Sequence, residues 1–256
     1  MYDLLNKKWL VKQFCGVLLA AFFLCACKAH YQAASMQYQQ FRIEEGAPQD
    51  TALAAMIRPY ADSVHRTMSQ VIGVVAVDLE KKQPEGNLGN LMADACRAEA
   101  ERIYGKKIDA AFVNYGGIRV TQVPAGPLTL NKVFEMMPFD NLLVVQEVPG
   151  QVLQLFLDNV AARGGWPGSG IQYTIRNKKA TEVLIGGQPL EAGRKYTIAN
   201  SDYVANGGDD SDMLRAIPQE NKGFLVRDGL IHYFSSLAAK GQPIGAAVEN
   251  RVRNAN

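Results

Sequence analysis

Four short segments gather residue types that could do chemistry: "EGNLGNLMADA" from Glu85, "NYGGIRV" from Asn114, "MMPFDN" from Met136 and "NSDYVANGGDDSDML" from Asn200. In the second, the apolar run "AAFV" leads into Asn114, Gly116, Gly117 and Arg119. Glycine weakens a strand unless backbone or a ligand must come close. In the third, Phe139 stands between a helix stop and a strand. In the fourth, Gly207 and Gly208 precede Asp209, Asp210 and Asp212. That pattern fits a turn. It fits a calcium loop poorly, because the distal glutamate of an EF-hand is missing. A binding site is the third reading: the ring of Tyr203 can stack a planar group while a neighbouring carboxylate accepts its hydrogen bonds.

Other chemistries find no footing. The only histidines are His30, His65 and His232, and none has a second histidine at metal-ligand spacing. No DxH or GNH(D/E) segment, GxSxG elbow or Walker A loop occurs. Each histidine reads as surface or structural. Cys96 sits in the helical pattern "LMADACRAEA" with no evident base beside it and reads as a small buried residue.

The elements that must hold these segments follow from periodicity. "DTALAAMIRPYADSVHRTMSQ" (50–70) reads as a helix with Asp50 as N-cap and a kink or break at Pro59. "VIGVVAVDL" (71–79) is a β-branched strand. "NLGNLMADACRAEAERIYG" is an amphipathic helix ending at Gly105. "IDAAFVN" is a strand, "LTLNKVFEMMP" a short helix, "NLLVVQEVP" a strand and "GQVLQLFLDNVAARG" a helix. "IQYTIRN", "EVLIGGQPL" and "RKYTIANSDYV" are strands. "IGGQPLEAGRKYTIA" reads as two adjacent antiparallel ones. "LVRDGLIHYFSSLAAKG" is a last helix. Interspersed helices and strands, several strands running consecutively, argue for an α+β fold with partly antiparallel sheet.

The N-terminus has an address. Lys7, Lys8 and Lys12 precede an apolar run from Phe14 to Ala26, too short for a stable span. It closes on "LCAC". This resembles a bacterial lipobox, which implies acylation of Cys27 and a lipid-anchored protein of the bacterial cell envelope, on the periplasmic side or the outer membrane. An ordinary cleaved signal or a membrane anchor is the alternative. The expected organisation is a signal over 1–26, a polar tether over 27–46 and one domain over 47–256. Lysine plus arginine total 27 against 25 acidic residues, and removing the signal balances the two signs. Nothing suggests a nucleic-acid surface.

"NLGNLMADACR", "VNYGGIRV", "GPLTLNKVFEMMPFDN" and "YTIANSDYVANGGDD", in this order, resemble the C-terminal domain of the 5'-nucleotidases, also called UDP-sugar hydrolases. The resemblance runs from about Ile72 to Phe234. It implies a four-layer α-β-β-α sandwich, with mixed sheets and helices outside, that binds the nucleoside part of a nucleotide. Two rings would sandwich the base, matching Phe139 and Tyr203. Asn114 and Arg119 match the family's N-x-GGIR segment. Asp209 after Gly207 and Gly208 matches the carboxylate that binds ribose hydroxyls. On that reading Gly116 and Gly117 let backbone approach the ligand, and Arg119 offers a planar fork for phosphate or ribose oxygens. Where the family carries a further arginine, this chain has Lys81, Lys82 and Gln83.

The family's hydrolytic metals belong to a separate metallophosphatase domain that this sequence lacks. No cofactor is therefore expected in this chain, and divalent metals only in a partner metallophosphatase subunit. The implied function is the substrate-binding half of a split 5'-nucleotidase, with a nucleoside or nucleotide ligand and a membrane reached through the lipid. A stand-alone nucleotide- or nucleoside-binding lipoprotein without catalytic role is the alternative.

Overall fold

The computed structural model describes residues 13–14, 35–42 and 46–255. The chain divides into a unit over Met1–Thr51 and a unit over Ala52–Asn256. In the first, residues 35–42 are exposed and carry no regular secondary structure. The expected signal segment and Cys27 lie outside the described residues, apart from Gln13 and Phe14. Among the described residues no helix is long and apolar enough to cross a membrane.

The elements run in order as helix α1 (Thr51–Met68), strands β1 (Val71–Val75) and β2 (Leu79–Glu80), helix α2 (Asn87–Tyr104) and strands β3 (Ala110–Phe112), β4 (Gln122–Val123) and β5 (Gly126–Thr129). Helix α3 (Leu130–Met136), strand β6 (Leu142–Pro149) and helix α4 (Gly150–Ala162) follow. Then come strands β7 (Gly168–Ser169), β8 (Ile171–Arg176), β9 (Lys179–Ile185), β10 (Gln188–Pro189) and β11 (Lys195–Ser201). Helices α5 (Asp202–Ala205) and α6 (Asp212–Arg215), strand β12 (Gln219–Leu225), helix α7 (Val226–Ala239) and strand β13 (Val252–Asn254) complete the chain.

Local signals explain several boundaries. Gly105 ends α2 in the left-handed conformation at φ 67°, its N–H bonded to the Glu101 carbonyl. The Thr129 hydroxyl accepts from the Lys132 N–H and opens α3. Pro59 neither brings the pattern to a stop nor splits it: α1 continues through it, flanked by helix-forming alanines.

A five-stranded sheet has the order β12-β6-β11-β3-β7. Strand β6 lies inside it, paired on both edges, which suits its nearly unbroken apolar run. Alternation sorts the side chains: Ala111, Val113, Leu143, Val145 and Ala199 join a core with α2 and α7, while Ala110, Phe112, Val148 and Ile198 face the other way. There they meet α4 and a second sheet of order β10-β9-β8-β13. The mixed α+β architecture is the expected one.

Three strand readings change. "VIGVVAVDL" is not one strand: β1 ends at Val75, and Leu79 already belongs to β2, which pairs with β4. "IGGQPL" is a hairpin, β9 to β10, turning through Gly186 and Gly187, both at positive φ. The following "RKYTIA" does not continue that hairpin. As β11 it crosses to the five-stranded sheet, antiparallel to β6 and parallel to β3. Strand β11 also stops at Ser201, whose hydroxyl accepts from the Val204 N–H and starts α5. Tyr203 is thus helical rather than on a strand.

The strand order positions the site. Strands β3 and β11 run parallel as neighbours, so their C-terminal ends leave the sheet at one edge. Strand β6 is antiparallel, with Leu143 opposite Ser201, so its N-terminal end lies at that edge too. The segments carrying Asn114, Phe139 and Tyr203 are therefore brought together.

Candidate functional site

At this edge opens a cleft of about 360 Å³ lined by Asn114, Gly116, Gly117, Arg119, Phe139, Asn141, Tyr203 and Asp209. Seven of the nine residues singled out for binding line it. The other two, Gly207 and Gly208, line an adjoining hollow that shares Tyr203 and Asn141. The volume suits a small organic ligand.

Asn114 leaves β3 buried, and its Nδ2 donates to Asp209 Oδ2 at 2.8 Å. Gly117 ends the 3₁₀ turn Tyr115–Gly117, where a Cβ would stand 2.6 Å from Asn114 Oδ1. The missing side chain at Gly117 thus makes room for Asn114, and the residue also lines the cleft. At Gly116 a Cβ would meet no described atom within 4 Å, and both glycines line the cleft.

The two rings stand free of the core. Phe139 is 39% exposed and Tyr203 45% exposed. The Arg119 guanidinium lies 5.7 Å from the Phe139 ring centroid, a cation–π distance, and its Nη1 donates to the Gly116 carbonyl at 3.3 Å. Tyr203 rests on Gly208, where a Cβ would intrude to 2.5 Å from the ring. Gly207 adopts φ 92°, the left-handed region. The Tyr203 hydroxyl donates to Asp209 Oδ1 at 3.4 Å.

Several supports carry no local signal in the sequence. Arg227, buried on α7, donates to the Phe139 carbonyl at 3.1 Å and pairs with Asp140 at 2.6 Å. It holds the segment that presents the ring. Asp202 accepts from the Leu142 N–H at 2.9 Å and ties α5 to the start of β6. Asn141, two residues after Phe139, lines the cleft although sequence reasoning passed over it. The nearest sequence cue was its place in "PFDN".

The three residues standing where an arginine was expected divide their roles. Lys81 Nζ donates to the Ile118 carbonyl at 2.8 Å and sits 3.9 Å above the Tyr115 ring. Burial, and then the neighbouring Arg119 charge, hold its pKa below the usual lysine range. Lys82 pairs with Glu80. Gln83 donates to the carbonyls of Arg163 and Gly165 beyond α4. Among the described residues no group of three or more His, Cys, Asp or Glu side chains gathers to hold a metal ion. His65 is exposed, and His232 Nδ1 lies 2.8 Å from Glu99 Oε1, away from the cleft residues.

Two rings, a forked cation and an oriented carboxylate line one cleft of an α+β domain. Residues 70–216 match the family described as "5'-nucleotidase, C-terminal domain", and the chain belongs to that family. A 5'-nucleotidase of Vibrio vulnificus (strain CMCP6) is 30% identical over 217 residues, covering 80% of this chain and 37% of the relative. Protein UshA of Yersinia enterocolitica is 26% identical over 212 residues, covering 78% of this chain and 38% of that protein. The crystal structure of a 5'-nucleotidase precursor from Thermus thermophilus superposes with a TM-score of 0.71 at 29% identity, covering 83% of this chain and 45% of that one. The chain thus spans less than half the length of these relatives.

Proposed function

We propose that this chain binds the nucleoside part of a nucleotide between Phe139 and Tyr203 and serves nucleotide hydrolysis together with a separate metallophosphatase. The observation that carries the reading is the cleft itself: two half-exposed rings, Arg119 and an oriented Asp209 line one hollow. Base–aromatic stacking contributes about 1–3 kcal/mol per base and tolerates different bases. Asn141 adds an amide for the base edge. Asp209 accepts from sugar hydroxyls, and Arg119 with Lys81 supplies positive charge for a phosphate. Activation of water falls to divalent metals on the partner. Acylation of Cys27 would hold the chain at the bacterial cell envelope.

The test titrates adenosine, uridine and AMP calorimetrically into the mature chain, then assays AMP hydrolysis with Mn²⁺ or Zn²⁺. Expected are heats of binding with no turnover by the chain alone, and turnover once a co-purifying metallophosphatase is added. Absence of nucleoside binding overturns the reading of the cleft. Metal-dependent turnover by the pure chain, lost on mutating its own residues, overturns the division of labour.

A further inference from the structure

Asn159 lies in the last turn of α4, on an element that contributes no residue to the cleft lining. Its Nδ2 donates to the main-chain oxygen of Asp209 at 3.0 Å. Asp209 has φ 52° and ψ 43°, and Asp210 has φ 58°. Two successive non-glycine residues in the left-handed region persist only where their surroundings hold them. Asparagine and aspartate tolerate this region better than most residues, but tolerance alone does not choose it over the right-handed alternative. Arg163, one turn beyond Asn159, pairs with Asp210 and brings Nη1 to 3.9 Å from Asp209 Oδ1. It sits at the C-terminal end of α4, where the helix dipole would otherwise repel both carboxylates.

We propose that Asn159, supported by Arg163, is a positioning residue for ligand recognition, locking the left-handed backbone of Asp209 so that its carboxylate lines the Phe139–Tyr203 cleft. The proposal rests on the nucleoside reading above. Asn114 orients the carboxylate from the cleft side, and Asn159 fixes the backbone from behind it. Without the amide donor, Asp209 can relax to right-handed φ, and its carboxylate then swings off the sugar position. Phe139 is held through its carbonyl by Arg227, and Tyr203 stands on α5 behind the Ser201 cap, so the rings keep the base. A merely structural asparagine would change stability alone. A positioning one changes the discrimination between sugars.

The experiment titrates adenosine, 2',3'-dideoxyadenosine and adenine into the mature wild-type chain, Asn159→Asp and Asn159→Ser, with a melting curve for each. Asn159→Asp sets an acceptor against the Asp209 carbonyl, and Asn159→Ser withdraws the donor without adding charge. Expected is a roughly 5- to 10-fold loss of adenosine affinity, the size of one hydrogen bond. Adenine binding should be unchanged, so the preference for adenosine over its dideoxy analogue collapses. A wild type that discriminates, with folded variants that keep the same preference, overturns this inference and leaves the nucleoside reading intact. A wild type that binds none of the three ligands removes both. Failure of both variants to fold marks Asn159 as structural and also overturns the inference.

Discussion

Asn114 and Asp209, 95 positions apart, are joined by a 2.8 Å hydrogen bond from the Asn114 amide to Asp209 Oδ2. Among the described residues the other oxygen, Oδ1, meets only the long 3.4 Å contact from the Tyr203 hydroxyl and the distant Arg163 charge. One carboxylate oxygen is thus engaged in orientation, and the other keeps acceptor capacity for a ligand. Asp209→Asn should weaken adenosine binding by roughly 1.5–3 kcal/mol, the range for hydrogen bonds to a charged group, and weaken adenine far less. Parallel calorimetric titrations of the two ligands check this. Equal losses for both would show that Asp209 does not read the sugar.

Phe139→Ala and Tyr203→Ala should each weaken nucleoside binding by roughly 1–3 kcal/mol, about 5- to 150-fold. Tyr203→Phe should cost far less, because stacking uses the ring and the hydroxyl makes only a long contact. Both rings are well exposed. Their alanine variants should therefore melt close to wild type, rather than lose the ~3–5 kcal/mol of a buried aromatic. Folded alanine variants that bind nucleosides as tightly as wild type would end the clamp reading.

The glycines separate by what a methyl group would strike. Gly116→Ala should leave stability near wild type, since no described atom lies within 4 Å of the new Cβ. Gly117→Ala pushes on Asn114, and Gly208→Ala pushes on the Tyr203 ring. Each of these two should cost about as much as a lost stacking partner, roughly 1–3 kcal/mol. Melting curves of all three variants, with adenosine titrations of Gly117→Ala and Gly208→Ala, give the ranking, and a loss of stability at Gly116 as large as at Gly208 would contradict the geometry.

Cys96 is buried, and desolvation, followed by the nearby Glu99 charge, pushes its thiol up to about 12 from an ordinary value of 9.0. The native thiol should resist iodoacetamide at mildly alkaline pH and react only on unfolding. The sign of the stability effect follows from proton uptake. Between the ordinary value and the raised one, the folded state holds the proton and the unfolded state releases it. This contribution is therefore complete below about pH 9 and is lost as pH rises towards 12. Melting curves should show a shallower alkaline decline in Cys96→Ala than in wild type. Identical slopes would place the alkaline transition on other groups.

Cys27→Ser should abolish fatty-acid labelling and release the protein from membranes, because each buried CH₂ contributes about 0.8 kcal/mol to anchoring. Fractionation of cells labelled with an alkyne fatty acid reads both effects. Label retained by the variant would place the acylation on another residue.

Much of the secondary structure was legible in the sequence because its signals are local. The apolar face of α2 and its stop at Gly105 depend on residues within a turn or two of each other. The four chemistry-bearing segments were legible as well, through their residue types and order. Where a competing signal sat nearby, the reading failed: "RKYTIANSDYV" looks extended throughout, yet a Ser201 cap turns the chain into α5 before Tyr203.

Strand order was not legible. A stretch such as "KYTIA" specifies two alternating faces but not its neighbours, and packing of both faces places it between β6 and β3 instead of beside β10. That choice brings Asn114 to Asp209 and makes one cleft of separate segments. Only the tertiary structure decided that Gly117 serves Asn114, that Arg227 holds the Phe139 segment and that Asn159 holds Asp209. The Arg227 and Asn159 contacts, like that of Asn114 with Asp209, join residues tens of positions apart, and no local periodicity or cap encodes a hydrogen bond whose partner arrives on another element.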